Sequence, residues 1–229
     1  MRKFAVVAAL AVIGAAFAGA QEKSIHELGL VVPLWNQSLT VFMNDEDYDL
    51  KTSAVGVNLM YRHLKVSESH FSSFTNVELG YASLSFNDDD MGDEAPKLDG
   101  FNTRFRFGLG GAPLVNDLVT LAVHGSFGVN LLYAGTDRTE TVGGFRLEES
   151  YSVFDVWTTV GLNVEAAFCF TEHFGVFAGL NLYTNLFGFG VFSQYVSAGS
   201  SVYYDDADFF LVNPCQFNVD FRVGVAFTY

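Results

Sequence analysis

Residues 217–229 read FNVDFRVGVAFTY, and apolar and polar side chains alternate along this whole stretch. A period of two is typical of a β-strand, because successive side chains point to opposite faces. One face is apolar and the other carries amides, a carboxylate and a guanidinium: Phe217, Val219, Phe221, Val223, Val225, Phe227 and Tyr229 against Gln216, Asn218, Asp220, Arg222, Gly224, Ala226 and Thr228. Such a strand fits a soluble sandwich with its apolar face inside, or a membrane barrel with that face toward lipid.

The alternation recurs along the chain and predicts about eight strands, most of them long enough to cross a bilayer when tilted. The segments between the strands alternate in length, with short turns at 66–70, 113–117 and 171–174 and longer polar segments at 36–51, 87–100, 135–150 and 193–214. In 186–192 the alternation is irregular, which is compatible with a β-bulge. The sequence therefore predicts an all-β fold, a transmembrane antiparallel up-and-down barrel of eight strands with short periplasmic turns and long extracellular loops.

The second face of the predicted strands decides against a soluble lipocalin-like barrel, which would turn its apolar face inward around a ligand. That face carries four acids and four arginines: Glu27, Glu78, Glu165, Asp220, Arg62, Arg104, Arg106 and Arg222. We expect these side chains in the lumen, where pairing offsets the cost of burying each charge. Two interpretations remain open, a structural ion network that plugs the lumen and a narrow pore in which an arginine switches between carboxylates.

The N-terminus has the features of a secretory signal peptide. Arg2 and Lys3 precede an apolar run that ends at Ala18-Gly19-Ala20, with small residues where a signal peptidase cleaves. We expect residues 1–20 to be removed and residues 21–229 to form a single barrel domain. A membrane anchor helix is the alternative, but the apolar run is short for a helix that spans a bilayer.

Composition and charge narrow the possible partners. The 229 residues carry a formal net charge of -14, which argues against binding to nucleic acid. The 24 phenylalanines and 22 glycines suit many strands with aromatic bands. Of the two cysteines, Cys169 falls at the short-turn end of the predicted barrel and Cys215 at the long-loop end. They are then about a membrane thickness apart, too far for a disulfide, so we expect free thiols.

Four residues at the end of the chain, Arg222, Gly224, Phe227 and Tyr229, form the pattern Arg-x-Gly-x-x-Phe-x-Tyr. This pattern resembles the C-terminal β-signal that the barrel-assembly machinery reads in bacterial outer-membrane proteins, although the usual form ends in Phe. In size and layout the chain after residue 20 is similar to the small outer-membrane β-barrel class of outer membrane proteins A, X and W. The resemblance implies a place in the bacterial outer membrane, contact with its lipid, and a last strand that closes the barrel against the first.

Candidate chemistry elsewhere in the chain is weak. His124 and Ser126 resemble the His-x-Ser pair of outer-membrane lipid A deacylases, but the alternation points both side chains inward, away from a lipid substrate. Acidic clusters at 88–94 and 205–208 lack the spacing of an EF-hand loop, so a solvated surface is favoured over a Ca²⁺ or Mg²⁺ site. We therefore expect no enzymatic activity, no catalytic residue, no cofactor and no metal site.

Two classes of function remain open. In the first, the protein has a structural or surface-interaction role, adhesin-like, in which acidic extracellular loops meet a host or envelope ligand. In the second, it is a narrow, porin-like passage for small or hydrophobic solutes, either through the lumen or sideways into the membrane from an apolar rim. Loops carry such specificity, and their structure cannot be read from the sequence.

Overall fold

The computed structural model of the chain describes residues 23–43, 46–86, 97–142, 145–198 and 201–228. The predicted signal peptide and the acidic cluster at 88–94 lie outside these residues. Within them, no helix is both long enough and apolar enough to cross a bilayer.

Nine antiparallel strands make up the described structure. They are β1 (Lys23–Met43), β2 (Glu46–Val66), β3 (Phe71–Phe86), β4 (Lys97–Val115), β5 (Val119–Val142), β6 (Phe145–Cys169), β7 (Phe174–Ala198), β8 (Ser201–Val212) and β9 (Phe217–Thr228).

The nine strands form a ring of eight positions, because β8 and β9 share one position between β7 and β1. The last strand closes the ring against the first, from Leu34 opposite Val219 to Ile25 opposite Thr228. Closure leaves no free edge in the part of the sheet that the structure describes. The predicted up-and-down barrel of eight strands is confirmed, with the eighth strand divided into β8 and β9.

The two faces of the wall follow the predicted alternation. Outward side chains are apolar and strongly exposed, with Leu59 70% and Phe101 67% exposed, whereas their neighbours Asn58 and Asn102 point inward and are fully buried. An exterior of Leu, Val, Phe and Tyr is the surface that a hydrocarbon layer covers. The wall is therefore that of a transmembrane barrel.

The three predicted short turns are present at one end of the barrel, which we call the turn end. Their chain reversals are closed by backbone hydrogen bonds, for example from Ser67 N to Phe71 O at 2.9 Å and from Phe170 N to Phe174 O at 2.9 Å. In the first of these turns His70 adopts a φ of 63°. The opposite end, where β1–β2, β5–β6 and β7–β8 turn back, is the hairpin end.

At the hairpin end the structure differs from the sequence-based expectation. The segments 36–51, 135–150 and 193–214 are for the most part strand, since β1 continues to Met43, β5 to Val142 and β7 to Ala198. Their polar residues alternate with inward apolar ones, and a strand with a water-facing outer side has a composition like that of a loop. The long segments therefore form β-hairpins that extend the wall.

The expected irregularity in β7 is also present. Thr158 of β6 lies opposite Phe187, and Thr159 lies opposite Asn185, so Leu186 has no partner in the register. Leu186 and Phe187 both face outward as a result. This is a β-bulge, which inserts one residue into one strand of a pair.

The interior is layered. A hairpin-end core contains Trp35, Leu39, Val41, Ala54, Ala82, Leu84, Phe86, Leu98, Leu132, Ala134, Val153, Trp157, Phe210 and Val212. A turn-end core contains Ile25, Val31, Met60, Leu64, Val66, Phe74, Ala112, Ala122, Ala167, Phe177 and Ala226. Charged side chains connect the two cores, because the Arg104 guanidinium lies 4.9 Å from the Trp35 ring and that of Arg62 lies 4.0 Å from the Phe74 ring.

Candidate functional site

The lumen contains all eight charged residues that the sequence places on the inner face, and each of them is buried. They form two groups, each with two acids and two arginines. The Asp220 tier consists of Glu78, Arg104, Arg106 and Asp220, and the Glu165 tier consists of Glu27, Arg62, Glu165 and Arg222. Each tier is electrically neutral when all its members are ionised.

The Asp220 tier is built by β3, β4 and β9. Arg104 and Arg106 lie two residues apart on β4 and therefore share a face, and Glu78 lies opposite Arg104 in the register. Arg104 Nη1 donates to Asp220 Oδ1 at 2.9 Å, and Arg106 Nη1 donates to both Asp220 and Glu78, the latter at 3.2 Å. The two arginines thus share both carboxylates.

Neutral side chains add hydrogen bonds to both carboxylates and to Arg104, whereas Arg104 Nε and Arg106 Nε and Nη2 have no partner among the described residues. Asn76 and Asn58 donate to the two Glu78 oxygens at 2.7 Å and 3.3 Å, and Asn181 donates to Asp220 Oδ2 at 3.3 Å. The Tyr183 hydroxyl accepts from Arg104 Nη2 at 3.1 Å. Buried charges of this kind are tolerated when both pairing and hydrogen bonding are supplied, and here both are present.

The Glu165 tier is less fully bonded. Arg62 Nη1 donates to Glu165, and Arg222 Nη2 lies 3.4 Å from the same carboxylate. Arg62 Nε lies 3.8 Å from Glu27 Oε2, and among the described residues no donor forms a geometrically good hydrogen bond to either Glu27 oxygen. Ion pairing with fewer hydrogen bonds makes this tier the weaker part of the network.

A second set of contacts closes the lumen within the hairpin-end core. Gln37 Nε2 of β1 donates to Asp155 Oδ2 of β6 at 2.8 Å. The rings of Trp35 and Trp157, from the same two strands, lie 6.1 Å apart. Because β1 and β6 are not neighbours in the wall, these four side chains reach across the lumen, and we call them the lumen latch.

The sequence analysis did not find the lumen latch. Gln37 fell in a segment expected to be a loop, and Asp155 was not among the charged residues assigned to the inner face. A signal was nevertheless present, because the apolar residues of β1 change from even to odd positions at Trp35. A change of face within one strand indicates that the strand continues into a different environment.

His124 and Ser126 face the lumen, as the alternation predicts. The Nε2 atom of His124 is bonded to Ser72 Oγ at 2.9 Å, and Ser126 Oγ donates to Asn181 Oδ1 at 3.4 Å. His124 is therefore bonded to the Ser72 hydroxyl and not to that of Ser126, its partner in the candidate His-x-Ser pair.

The thiols and metal ligands complete the survey of reactive groups. Cys169 is buried, Cys215 is exposed, and neither forms a disulfide. Within the described residues no three His, Cys, Asp or Glu side chains are grouped closely enough to hold a metal ion.

The residues of the C-terminal pattern have separate structural roles. Arg222 belongs to the Glu165 tier, and Phe227 packs edge-on against Phe174 with ring centroids 5.7 Å apart. Gly224 lies against β1 so closely that a Cβ atom would be 2.2 Å from Leu28 O, so only glycine fits there. Tyr229 lies outside the described residues.

Comparison with known proteins identifies the fold. No family model and no curated protein match the sequence. Among solved structures, the outer membrane protein OprG from Pseudomonas aeruginosa is similar with a TM-score of 0.59 and 9% identity, over 92% of this chain and 97% of that one. A major outer membrane protein from Thermus thermophilus is similar with a TM-score of 0.53 and 12% identity, over 90% and 99%. The chain therefore has the fold of the small outer-membrane β-barrel proteins.

Proposed function

We propose that the protein is an integral barrel of the bacterial outer membrane with a closed lumen, and that it has a structural or surface-interaction role at its hairpin end. The observation that carries this proposal is the filled interior. Eight paired, buried charges lie between two apolar cores, and the lumen latch crosses the space above them. Small barrels are filled by side chains in this way, whereas conduction requires sites that ions can enter and leave.

The hairpin end offers the surface for such a role. The β5–β6 hairpin carries solvent-exposed ion pairs, between Arg138 and Glu140 and between Arg146 Nε and Glu148 Oε1 at 3.0 Å. Acidic residues dominate the composition of the chain, with 26 Asp and Glu against 12 Lys and Arg. A rigid, acidic rim suits a host or envelope ligand that presents positive charge or a bound cation.

The remaining partners follow from the same structure. The apolar exterior suits outer-membrane lipid, and the turn end faces the periplasm in this orientation. Residues Arg222, Gly224, Phe227 and Tyr229 serve as the signal for the barrel-assembly machinery. Neither a cofactor nor an enzymatic activity forms part of this proposal.

Single-channel conductance in a planar bilayer tests the closed lumen. The refolded protein, with barrel closure checked by gel mobility without boiling, should show no stepwise current. Arg106→Ala, which removes one arginine from the Asp220 tier, should allow brief openings, whereas Glu148→Gln on the exposed hairpin should remain silent. Steady conductance of the wild-type protein would contradict the proposal.

A passage for hydrophobic solutes is the second candidate, and the split eighth position favours it. Between β8 and β9 the wall is interrupted at residues 213–216, where Cys215 adopts a φ of 71°. The interruption is spanned by backbone hydrogen bonds from Asn213 N to Ser38 O at 2.7 Å and from Cys215 N to Asn185 O at 3.0 Å, and by the Asn36 N–H, which donates to Asn218 Oδ1 at 2.7 Å. A groove of about 280 Å³ in the neighbouring wall is lined by Leu34, Trp35, Asn36 and Val55.

Chemical blocking of the interruption tests this second candidate. Cys215 is exposed and Cys169 is buried, so a bulky maleimide should modify the interruption selectively. If solutes cross there, labelling should abolish transfer of a fluorescent fatty acid into vesicles that contain the barrel, and a Cys215→Ser variant treated in the same way should retain transfer. Equal transfer before and after labelling would exclude the interruption as the route.

A further inference from the structure

One buried acid of the lumen has no cationic partner. The acids of the Asp220 and Glu165 tiers each form an ion pair with an arginine. Asp155 is 1% exposed, yet no Lys, Arg or His among the residues that the structure describes is paired with it. We propose that Asp155 is a proton-binding site that controls the lumen latch, which is closed while the carboxyl holds a proton and loosens when the proton is lost. This inference rests on the closed lumen proposed above.

The hydrogen bonds of Asp155 suit a neutral carboxyl better than a charged one. Gln37 Nε2 donates to Oδ2 at 2.8 Å, and the backbone N–H of Val156 makes a smaller contribution. Oδ1 has no hydrogen-bond partner within the described part of the chain. The indole N–H groups of Trp35 and Trp157 lie in the same latch without an acceptor there, so neither of them stabilises the carboxylate. A buried carboxyl that lacks both a cation and a full set of donors favours its protonated form.

The strands around Asp155 present uncharged side chains to it. In the register Asp155 lies opposite Leu132 of β5 and Gly190 of β7. Across the lumen it meets Gln37 of β1, whose Oε1 atom accepts a long hydrogen bond from Thr52 Oγ1 of β2 at 3.5 Å. The other residues of the hairpin-end core defined above are apolar. The proton is therefore what neutralises the Asp155 carboxyl.

The charged and titratable groups near the latch are bound to other partners. The Arg104 guanidinium of β4 lies 4.9 Å from the Trp35 ring, but it donates to Asp220 and to the Tyr183 hydroxyl. Tyr151 faces the same core from β6, and its hydroxyl donates to Glu149 Oε2 at 3.4 Å. Neither Arg104 nor Tyr151 therefore compensates a charge on Asp155.

Loss of the proton places an unpaired negative charge in an apolar core. Such a charge becomes stable when water reaches it. The bond from Gln37 to Asp155 joins β1 to β6 across the lumen, so hydration at this point separates the two sides of the latch. The charged tiers keep their ion pairs and continue to close the lumen. The latch therefore responds to the pH of the medium at the hairpin end.

Tryptophan fluorescence tests the proposal, because the two tryptophans of the chain both belong to the latch. In the refolded barrel we expect their emission to shift to longer wavelength, and acrylamide to quench it more efficiently, between about pH 5 and about pH 9, where buried carboxyls lose their protons. Asp155→Asn, which has the shape of the neutral acid, should keep the short-wavelength emission throughout. Glu148→Gln, in an exposed ion pair, is the matched control and should shift like the wild type.

Urea unfolding supplies a second measurement. The unfolded chain loses the Asp155 proton near about pH 4, and the folded barrel loses it at higher pH. Between these two points the folding equilibrium constant of the wild type should fall, relative to that of Asp155→Asn, by up to about tenfold per pH unit. Curves that stay parallel over this range would contradict the proposal.

Gel mobility at each pH shows whether the barrel is still closed, so a response of the latch can be separated from unfolding. An emission independent of pH in the closed wild-type barrel, or an equal shift in Asp155→Asn, would overturn the proposal. Steady conductance together with a shift that requires Asp155 would contradict the closed lumen and support the proton site. Steady conductance with an emission independent of pH would contradict both.

Discussion

The lipid-facing and hairpin-end regions of the wall have opposite polarity. On β1 the outward residues Leu28 and Leu30 are apolar and half exposed while Glu27 is buried inside; farther along the same strand Leu39 and Val41 are the buried residues. Thr40, between them, faces outward and bonds Asp49 at 2.9 Å. On this strand Leu28 and Leu30 thus point outward whereas Leu39 and Val41 point inward, and Phe42 beyond them faces outward and stacks on Phe209 with ring centroids 6.2 Å apart.

The comparison shows that the medium outside the wall determines which face of a strand carries the apolar side chains. The interior is closed to water in both regions. Where lipid surrounds the wall, charged pairs can occupy the interior because the exterior supplies the apolar contact. Where water surrounds the wall, the apolar contacts that stabilise it have to form in the interior, as in a soluble barrel. One chain therefore combines a membrane barrel with the core of a soluble one.

Among the variants that test this comparison, removal of a charge from the lumen should lower the free energy of unfolding most. Asp220→Asn leaves Arg104 and Arg106 with a single shared carboxylate, and breaking a buried pair costs about 3–5 kcal/mol. The free energy of unfolding, measured by urea titration with a gel-mobility readout, should fall by that amount. Glu148→Gln, in an exposed pair, should cost about 1 kcal/mol or less. Equal effects of the two variants would mean that the lumen pairs contribute no more than surface pairs.

Truncation inside the hairpin-end core should be the next largest effect. Leu132 is 1% exposed, and Leu132→Ala should destabilise the barrel by about 2–5 kcal/mol through lost contacts and a cavity. Thr139→Ala on the exposed outer face of the same strand should change stability by about 0.5 kcal/mol at most. The same urea titration compares them, and a negligible effect of Leu132→Ala would show that the hairpin end contains no true core.

Charge placed on the outer face should distinguish the two regions directly. Leu59→Arg puts a guanidinium where lipid covers the wall and should cost about 2–4 kcal/mol in vesicles. Thr139→Arg makes the corresponding change at the hairpin end and should be nearly neutral because water surrounds that part. If both variants unfold at the same urea concentration, the proposed boundary between lipid and water is misplaced.

The smallest expected effect is a pH dependence at the hairpin end. Burial and the neighbouring Glu149 raise the pKa of Tyr151 above its ordinary value of 10.0. A raised pKa means that the folded state favours neutral tyrosine, so this contribution is complete below about pH 10 and is lost as the pH rises through the folded-state pKa. Unfolding free energy should fall more steeply above pH 10 in the wild type than in Tyr151→Phe. Parallel curves for the two proteins would contradict this contribution.

The sequence predicted the class of fold and the faces of the strands, because a period of two survives in each strand as a local signal. It placed Glu78, Arg104 and Asp220 on one face but could not pair them. Which charges pair depends on the register between strands that are distant in sequence. The same alternation of inner and outer residues is compatible with many registers.

Two features of the wall escaped the sequence analysis for different reasons. The hairpin-end core was hidden because polar outer residues such as Ser38 and Thr40 made the strands resemble loops. The break between β8 and β9 left a local mark, since Pro214 cannot donate a backbone hydrogen bond and is poorly tolerated within a sheet. What no local pattern showed is that the chain resumes the same position in the ring after the break.

The length of the strands determines how far the barrel reaches. Strands β6 and β7 contain 25 residues each, which corresponds to about 80 Å of extended chain at roughly 3.3 Å per residue. At a tilt of about 40° the wall is roughly 60 Å tall, and an apolar band of about 25 Å accounts for less than half of that height. The wall is therefore more than twice as tall as the apolar band, and the hairpins carry its rim beyond the lipid.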